Sequence, residues 1–155
     1  MKGLQPKTCS IVTVDRQLTA VVRVKVPFPE IPTAQRSARA AVDAALPSLE
    51  AAPLGRPLTR FRTPAKEALD MEIGTIVGRS FAAKGGVVPS ELPAGRAAHF
   101  QLKGPFDGMP GAWQTLFEWC QAEKLELAGI NWEIYMPWEG VDPARLETDL
   151  YALLA

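Results

Sequence analysis

Pro27-Phe28-Pro29-Glu30-Ile31-Pro32-Thr33-Ala34 returns later in the chain as Pro105-Phe106-Asp107-Gly108-Met109-Pro110-Gly111-Ala112, and the shared pattern Pro-Phe-x-x-(Ile/Met)-Pro-x-Ala decides how the rest of the chain is read. Upstream, at the same offset, Lys25 aligns with Lys103 and the apolar run 20–24 aligns with 98–102. Downstream the match continues with small slips. Gly55 aligns with Gly129, and Leu69-Asp70-Met71-Glu72 aligns with Leu146-Glu147-Thr148-Asp149, both at offsets slightly shorter than that of the motif. Such slips place insertions and deletions between elements. Two similar halves, 7–80 and 85–154, would meet at a pseudo-symmetric seam, and seams between packed units are preferred places for ligand pockets.

Working outward from the motif, residues 8–14 and 19–26 are rich in Val, Ile and Thr and are separated by Asp15-Arg16-Gln17-Leu18, a pattern of strand, turn and strand. Pro27 and Pro29 stop the second strand. Beyond them the apolar period changes: Ile31, Ala34, Ala38, Ala41, Val42, Ala45 and Leu49 recur at three and four. Pro32 can open this helix because its missing N–H would be unpaired there anyway, and Pro47 limits it or bends its last turn. Residues 55–62 and 69–77 read as strands, the second with Leu69, Met71 and Ile73 alternating against Asp70 and Glu72. Gly85-Gly86 reads as a hinge between halves.

After it the order repeats: a strand at 87–92, a turn at Pro93-Ala94-Gly95, a strand at 96–103 and a helix from Pro110 whose apolar stripe is Met109, Trp113, Leu116, Phe117 and Cys120. A strand at 131–137, a loop at 138–144 and a closing strand at 145–154 complete the half. Each half is therefore strand, strand, helix, strand, strand. This order favours an α+β fold, a mainly antiparallel sheet with one helix per half on its outer side.

Composition narrows the function. A chain of 155 residues with 47% hydrophobic content is one domain with a real core, and 17 basic against 17 acidic residues give no electrostatic case for nucleic acid. Cys9 and Cys120 stand apart, with no CxxC pair and a single histidine, His99, so two reduced, buried thiols are expected and neither a structural metal nor a cofactor is. The start, Met1-Lys2-Gly3-Leu4-Gln5-Pro6-Lys7, lacks the apolar run of a signal peptide, and no stretch approaches the ~18 apolar residues of a membrane span. A cytoplasmic protein is expected, with no membrane partner.

Glu91-Leu92-Pro93-Ala94-Gly95-Arg96-Ala97-Ala98, Lys103-Gly104-Pro105-Phe106-Asp107-Gly108, Trp113, Trp132-Glu133-Ile134-Tyr135 and Thr148-Asp149-Leu150 together resemble the second half of a GyrI-like domain. This is the small-molecule effector-binding domain also found at the C-terminus of AraC- and MerR-type transcription regulators. The first half matches more loosely. The resemblance implies two strand-helix-strand-strand modules whose sheets form a concave platform, with a ligand cleft at the pseudo-twofold axis. It implies a lipophilic, often aromatic and cationic ligand, faced by the glutamate of a Glu-x-Tyr strand. That role falls on Glu133, with Tyr135 two residues on and on the same face. Some standalone members are hydrolases of cyclopropane-containing natural products, and others are linked to protection of DNA gyrase. The first half has Thr59 where the second has Glu133, and Phe61 where it has Tyr135, so the expected site is asymmetric. No helix-turn-helix segment is expected ahead of the domain, and on that expectation a regulatory role would need a partner chain.

Glu133 lies in Trp132-Glu133-Ile134-Tyr135-Met136-Pro137-Trp138, the most aromatic stretch of the chain. A carboxylate walled by rings loses hydration and must be paired or protonated. Either a ligand cation supplies the partner, with rings of Tyr135, Tyr151 or Trp138 adding cation–π contacts, or Glu133 pairs with Arg60 or Arg62 on the matching strand. Alternation with Glu133 assigns Trp132 and Ile134 to the helix side, and Trp113 reads as core. If Leu150 packs under the helix, Tyr151 points to the cleft, the alternative being a tyrosine with its ring buried and its hydroxyl at the rim. Asp70 and Glu72 are further polar candidates. The expected ligand contacts are thus Glu133, Tyr135, Tyr151, Phe61 and Trp138. Two other functions stay open: hydrolysis of a reactive aromatic compound, with Glu133 as acid or base and Tyr135 donating to a developing oxyanion, and a protein-interaction domain acting on a regulator or topoisomerase. Outer strand edges could also pair two copies into a homodimer.

Overall fold

Alternation and proline placement set the elements of the computed structural model, which describes residues 8–155. The reading of the chain start lies outside these residues. The strands are β1 (Ser10–Val14), β2 (Gln17–Pro27), β3 (Pro53–Arg62), β4 (Ala68–Val77), β5 (Val88–Leu92), β6 (Gly95–Lys103), β7 (Leu127–Tyr135) and β8 (Glu147–Leu154); the helices are α1 (Ile31–Leu49) and α2 (Met109–Ala122). In both copies of the repeated motif, the Pro-Phe pair leads into one 3-10 turn, Phe28–Glu30 or Phe106–Gly108, and a proline sits in the helix's first turn, where its missing N–H costs nothing. Pro47 falls inside α1, which stops soon after as Glu50 and Ala52 turn left-handed, with φ of 54° and 55°.

The eight strands form one antiparallel sheet in the order β1-β6-β8-β7-β3-β4-β2-β5. Exchanging each element of one half for its counterpart in the other reverses this order and leaves it unchanged. The centre is the β3–β7 pair, where Thr59 lies directly opposite Glu133. These two residues align in the repeat, so the pseudo-twofold passes between them. Matched irregularities flank the axis: the ladders shift between Pro53 and Pro57 and between Leu127 and Asn131, around Gly55 and Gly129 with φ of 71° and 81°. At Gly129 a Cβ would sit 2.5 Å from the Thr63 carbonyl oxygen, so a side chain would break this close strand contact.

The two strands of the first turn do not pair with each other. β1 pairs with β6, and β2 continues the same register against β5, with Val14 opposite Gly95 and Gln17 opposite Leu92. Each half thus sends its first strand to the other half's edge. Its pairing with β6 places β1 beside the second half in space, although it belongs to 7–80 along the chain, and the whole sheet curls into a half-barrel. Gly85-Gly86 forms a tight turn closed by reciprocal Lys84–Val87 backbone hydrogen bonds.

Both helices lie on one face. From α2, Ala112, Trp113, Leu116 and Cys120 pack on Ala98, Phe100, Leu150 and Ala152, and the partly buried Cys9 joins this cluster. From α1, Ala38, Val42 and Leu49 pack on Ala20, Met71, Ile73 and Val77. The other face gathers Val21, Leu58, Ile76, Leu92, Ala97, Trp132 and Ile134, with Val14 and Tyr151 against them. Trp132 and Ile134 therefore lie opposite the helices, not beneath them as their alternation with a cleft-facing Glu133 suggests, because the cleft itself is on the helix side. The sheet has two apolar faces, and alternation alone does not say which one a strand residue meets. No helix among the described residues is long and apolar enough to cross a membrane.

Candidate functional site

The site grows from the central strand pair on the helix-bearing face. Alternation on β7 brings Glu133 and Tyr135 to that face, and on β3 it brings Thr59 and Phe61. The helices then supply equivalent donors: Gln35 Nε2 of α1 donates to Thr59 Oγ1 at 3.1 Å, and Trp113 Nε1 of α2 donates to Glu133 Oε2 at 2.6 Å. Gln35 and Trp113 stand at the offset of the repeated motif and are therefore counterparts. One half thus carries an amide on a hydroxyl where the other carries an indole on a carboxylate.

Tyr135 joins the two halves. Its Oη lies 2.8 Å from Thr59 Oγ1 and 2.5 Å from Glu133 Oε1. One phenolic proton cannot serve both, so with Glu133 charged the phenol donates to the carboxylate and accepts from Thr59. The Thr59 oxygen in turn accepts from Arg39 Nη2 at 2.9 Å, and the same nitrogen donates to Gln35 Oε1 at 2.9 Å. The result is a polar chain from Arg39 through Thr59 and Tyr135 to Glu133, closed on the far side by Trp113. Burial pushes the Glu133 carboxyl above the ordinary carboxylate value, and the Tyr135 and Trp113 hydrogen bonds and the Arg39 charge pull it partly back. Burial, then the Glu133 charge, push the Tyr135 phenol well above its usual range, so it stays a donor.

Above this chain lies a cavity of about 280 Å³ between the helices, walled by Gln35, Arg39, Phe106, Met109, Tyr135 and Trp138, with Glu133 at its base. Phe106 and Trp138 meet edge to face at 5.9 Å between centroids, and each also meets the Tyr135 ring in this way. The Arg39 guanidinium lies over the Tyr135 and Trp138 rings, 5.1 and 5.4 Å from their centroids. A second cavity of about 280 Å³ lies beyond Arg39 and Trp138, lined also by Val42, Leu46, Pro57 and Thr75.

Of the expected ligand contacts, the structure brings Glu133, Tyr135 and Trp138 together. Phe61 packs edge-on against Trp113, 4.9 Å between centroids, and buttresses the cavity from behind. Tyr151 does not join them: it stacks on Trp132 at 5.3 Å on the opposite face, beside His99. Leu150 does pack under α2, so by alternation Tyr151 faces the other way; the cleft, however, is on the helix side. Arg60 is not the partner of Glu133 either, since it donates to the Glu91 carbonyl. Glu72 pairs with Arg23 and accepts from Ser90 Oγ, away from the cavity.

Sequence reading missed Gln35 and Arg39 and took Trp113 for core alone. A signal existed, because the offset of the repeat aligns Gln35 with Trp113 and Arg39 with Phe117. Polar residues on a helix stripe that is apolar in its counterpart mark where one half departs from packing.

The arrangement can hold an aromatic body against rings while offering hydrogen-bonding groups at its base, the general make-up of small-molecule sites. A family model for the GyrI-like small-molecule binding domain matches residues 7–155, and the chain belongs to that family. Among solved structures it is similar to the C-terminal domain of EcmrR, at a TM-score of 0.78 and 18% identity, covering 97% of this chain and 99% of that one. It spans 57% of the EcmrR chain seen in complex with DNA. It is also similar to SAV2435 solved with tetraphenylphosphonium bound, at a TM-score of 0.72 and 8% identity, covering 96% and 94%. A hydrolase from Listeria innocua matches at a TM-score of 0.58 and 14% identity, covering 96% and 92%. At these identities the likeness is one of fold. No curated protein matches the chain.

Proposed function

We propose that this domain binds a lipophilic aromatic small molecule in the cavity between α1 and α2, as an effector-sensing or sequestering module. One observation carries the reading: the cavity walls are three aromatic rings, Phe106, Tyr135 and Trp138, over a base that holds a half-buried acid. Rings in that arrangement suit a ligand that is itself aromatic, through stacking and edge contacts. Family membership supports small-molecule binding, and the tetraphenylphosphonium complex of SAV2435 shows that this fold accepts an aromatic guest in that protein.

The test is a titration of intrinsic tryptophan fluorescence with a panel of planar aromatic compounds of differing charge, wild type against Phe106→Ala. Phe106 is 39% exposed and forms the cavity rim, so its truncation removes a wall and spares the core. Saturable quenching that weakens about tenfold in the variant, or roughly 1.4 kcal/mol, supports the reading. A wild type that shows no saturable response to any of the panel rejects it.

A hydrolytic reading rests on a different observation, the short Tyr135–Glu133 hydrogen bond beside a carboxyl that burial pushes toward its neutral form. In that form Glu133 would act as a proton donor to a strained electrophile. It requires product formation that disappears in Glu133→Gln; stoichiometric binding without product leaves the domain a binder.

A further inference from the structure

The charge on Arg39 is the least compensated feature of the site. Glu133 has both oxygens engaged, one by Trp113 and one by Tyr135. Arg39 is a permanent cation, yet among the described residues no carboxylate lies within ion-pair distance of it. Its Nη2 donates to Gln35, Thr59 and, at 3.4 Å, the Leu58 carbonyl; its Nη1 makes one long bond of 3.5 Å to the Gly74 carbonyl. That leaves the Nε hydrogen and one Nη1 hydrogen without a protein acceptor among the described residues. Gly74 and Arg39 both line the second cavity, so the under-used edge of the guanidinium faces it, while the Gln35 side faces the first. Asp43 and Glu139 stand at the rim of that second cavity, exposed to solvent, where their fields are screened.

The same guanidinium lies against the faces of Tyr135 and Trp138, where a ligand cation would have to sit to gain from these rings. We infer that Arg39 sets the charge class of the ligand: a resident cation fills the aromatic cage, so the site takes aromatic compounds that are uncharged or anionic and discriminates against cations. A cation would have to expel Arg39 from Thr59 and Gln35 or stand beside it as a second positive charge. An accepting or anionic group meets the two free N–H positions at the junction of the cavities, with its aromatic body against Phe106, Tyr135 and Trp138. Of the two partners that sequence offers Glu133, a ligand cation or an arginine of the matching strand, the first would use the rings of Tyr135 and Trp138, and the Arg39 guanidinium already lies over them. The inference rests on the aromatic-ligand reading above and adds the sign of the charge.

Tetraphenylborate and tetraphenylphosphonium have matched shape and opposite charge, so their affinities can be compared by calorimetry on wild type, Arg39→Met and Arg39→Lys. Wild type is expected to bind the borate about tenfold more tightly, or roughly 1.4 kcal/mol. Arg39→Lys is expected to keep that order and Arg39→Met to lose it, because the rings of Tyr135 and Trp138 then have no resident cation over them. The wild-type ratio tests the inference even if a variant fails to fold. Wild type that prefers the phosphonium, or a ratio that Arg39→Met leaves unchanged, overturns charge selection while leaving aromatic binding intact. Absence of binding of either ion to any folded protein overturns both readings.

Discussion

Tyr135→Phe removes one oxygen from the middle of the polar chain and leaves the ring in place. Tyr135 is buried, with 8% of its surface exposed, so the phenyl ring keeps its contacts with Phe106 and Trp138 and the loss is confined to the hydroxyl. Two hydrogen bonds go, the 2.5 Å bond to Glu133 and the 2.8 Å bond to Thr59. A bond to a charged group contributes ~1.5–3 kcal/mol and a neutral one ~0.5–1.5 kcal/mol, so a net loss of about 2–4 kcal/mol is expected at neutral pH. For a domain of this size that is a fall in Tm of roughly 5–15 °C. The loss depends on pH. The Tyr135 hydrogen bond lowers the Glu133 pKa, so deleting it moves the folded-state value further up. At low pH, where Glu133 is protonated in both proteins, only the neutral part of the loss remains. As pH rises through the window between the wild-type and variant values, both above the ordinary carboxylate value, the charge-assisted part appears, and above that window it is complete. Urea unfolding at about pH 4 and about pH 8 separates the two parts. A loss under about 0.5 kcal/mol at the higher pH, or one that is the same at both, would refute the claim that Tyr135 holds a charged Glu133.

Glu133→Gln tests the burial cost directly. Because burial raises the folded-state pKa of Glu133, the stability it contributes is full below the unfolded-state value and is lost as pH rises to the folded-state value. The amide does not titrate and can be accommodated by turning the Tyr135 hydroxyl toward Thr59, so the variant should gain on wild type across that window, by about 1.4 kcal/mol for each pH unit the window spans; a stability difference that does not change with pH would contradict a raised Glu133 pKa in the folded state. Gly74→Ala places a Cβ 1.8 Å from the Ala20 carbonyl oxygen, a backbone atom that cannot give way, and should cost more than about 3 kcal/mol or abolish the cooperative circular-dichroism transition. Gly85→Ala, with open space around it but φ of +61°, should cost only about 1 kcal/mol. Equal losses at the two glycines would contradict the close approach of β2 and β4.

The fold was legible because each repeated unit carried its own period. Proline pairs ended β2 and opened α1, the three-and-four spacing of Ala38, Val42 and Leu49 marked a buried stripe, and the same order returned in the second half. The swap of β1 to the far edge was not legible, since a short turn between two Val-rich strands looks like any hairpin when the partners β6 and β5 lie far along the chain. At the site, Glu133, Tyr135 and Trp138 stood out as an acid among rings. Tyr151 was misplaced for a physical reason: a sheet buried on both faces presents aromatics on each, and only knowing where the helices sit tells which face holds the cleft. Arg39 was missed because its neighbours Thr59, Tyr135 and Trp138 come from distant parts of the chain.

Asymmetry about the axis is what makes one ligand site from two similar halves. Two identical acids at the positions of Thr59 and Glu133 would face each other across a ladder at close range and repel. A hydroxyl on one side and a carboxylate on the other instead let Tyr135 bridge them, and the guanidinium of α1 and the indole of α2 close the two ends. If Arg39, Thr59, Tyr135 and Glu133 act as one chain, cutting it at two adjacent links should not cost twice. Thr59 is 3% exposed, so Thr59→Val keeps the shape and removes the hydroxyl that Arg39, Gln35 and Tyr135 share. The single variants Thr59→Val and Tyr135→Phe both delete the Thr59–Tyr135 bond, whereas the double variant deletes it once. A double-mutant cycle by urea unfolding should therefore give a coupling of about 0.5–3 kcal/mol, with the double variant less damaged than the sum of the singles. Additivity within about 0.5 kcal/mol would mean that the halves are joined by packing alone and that the hydroxyls carry no link between Arg39 and Glu133.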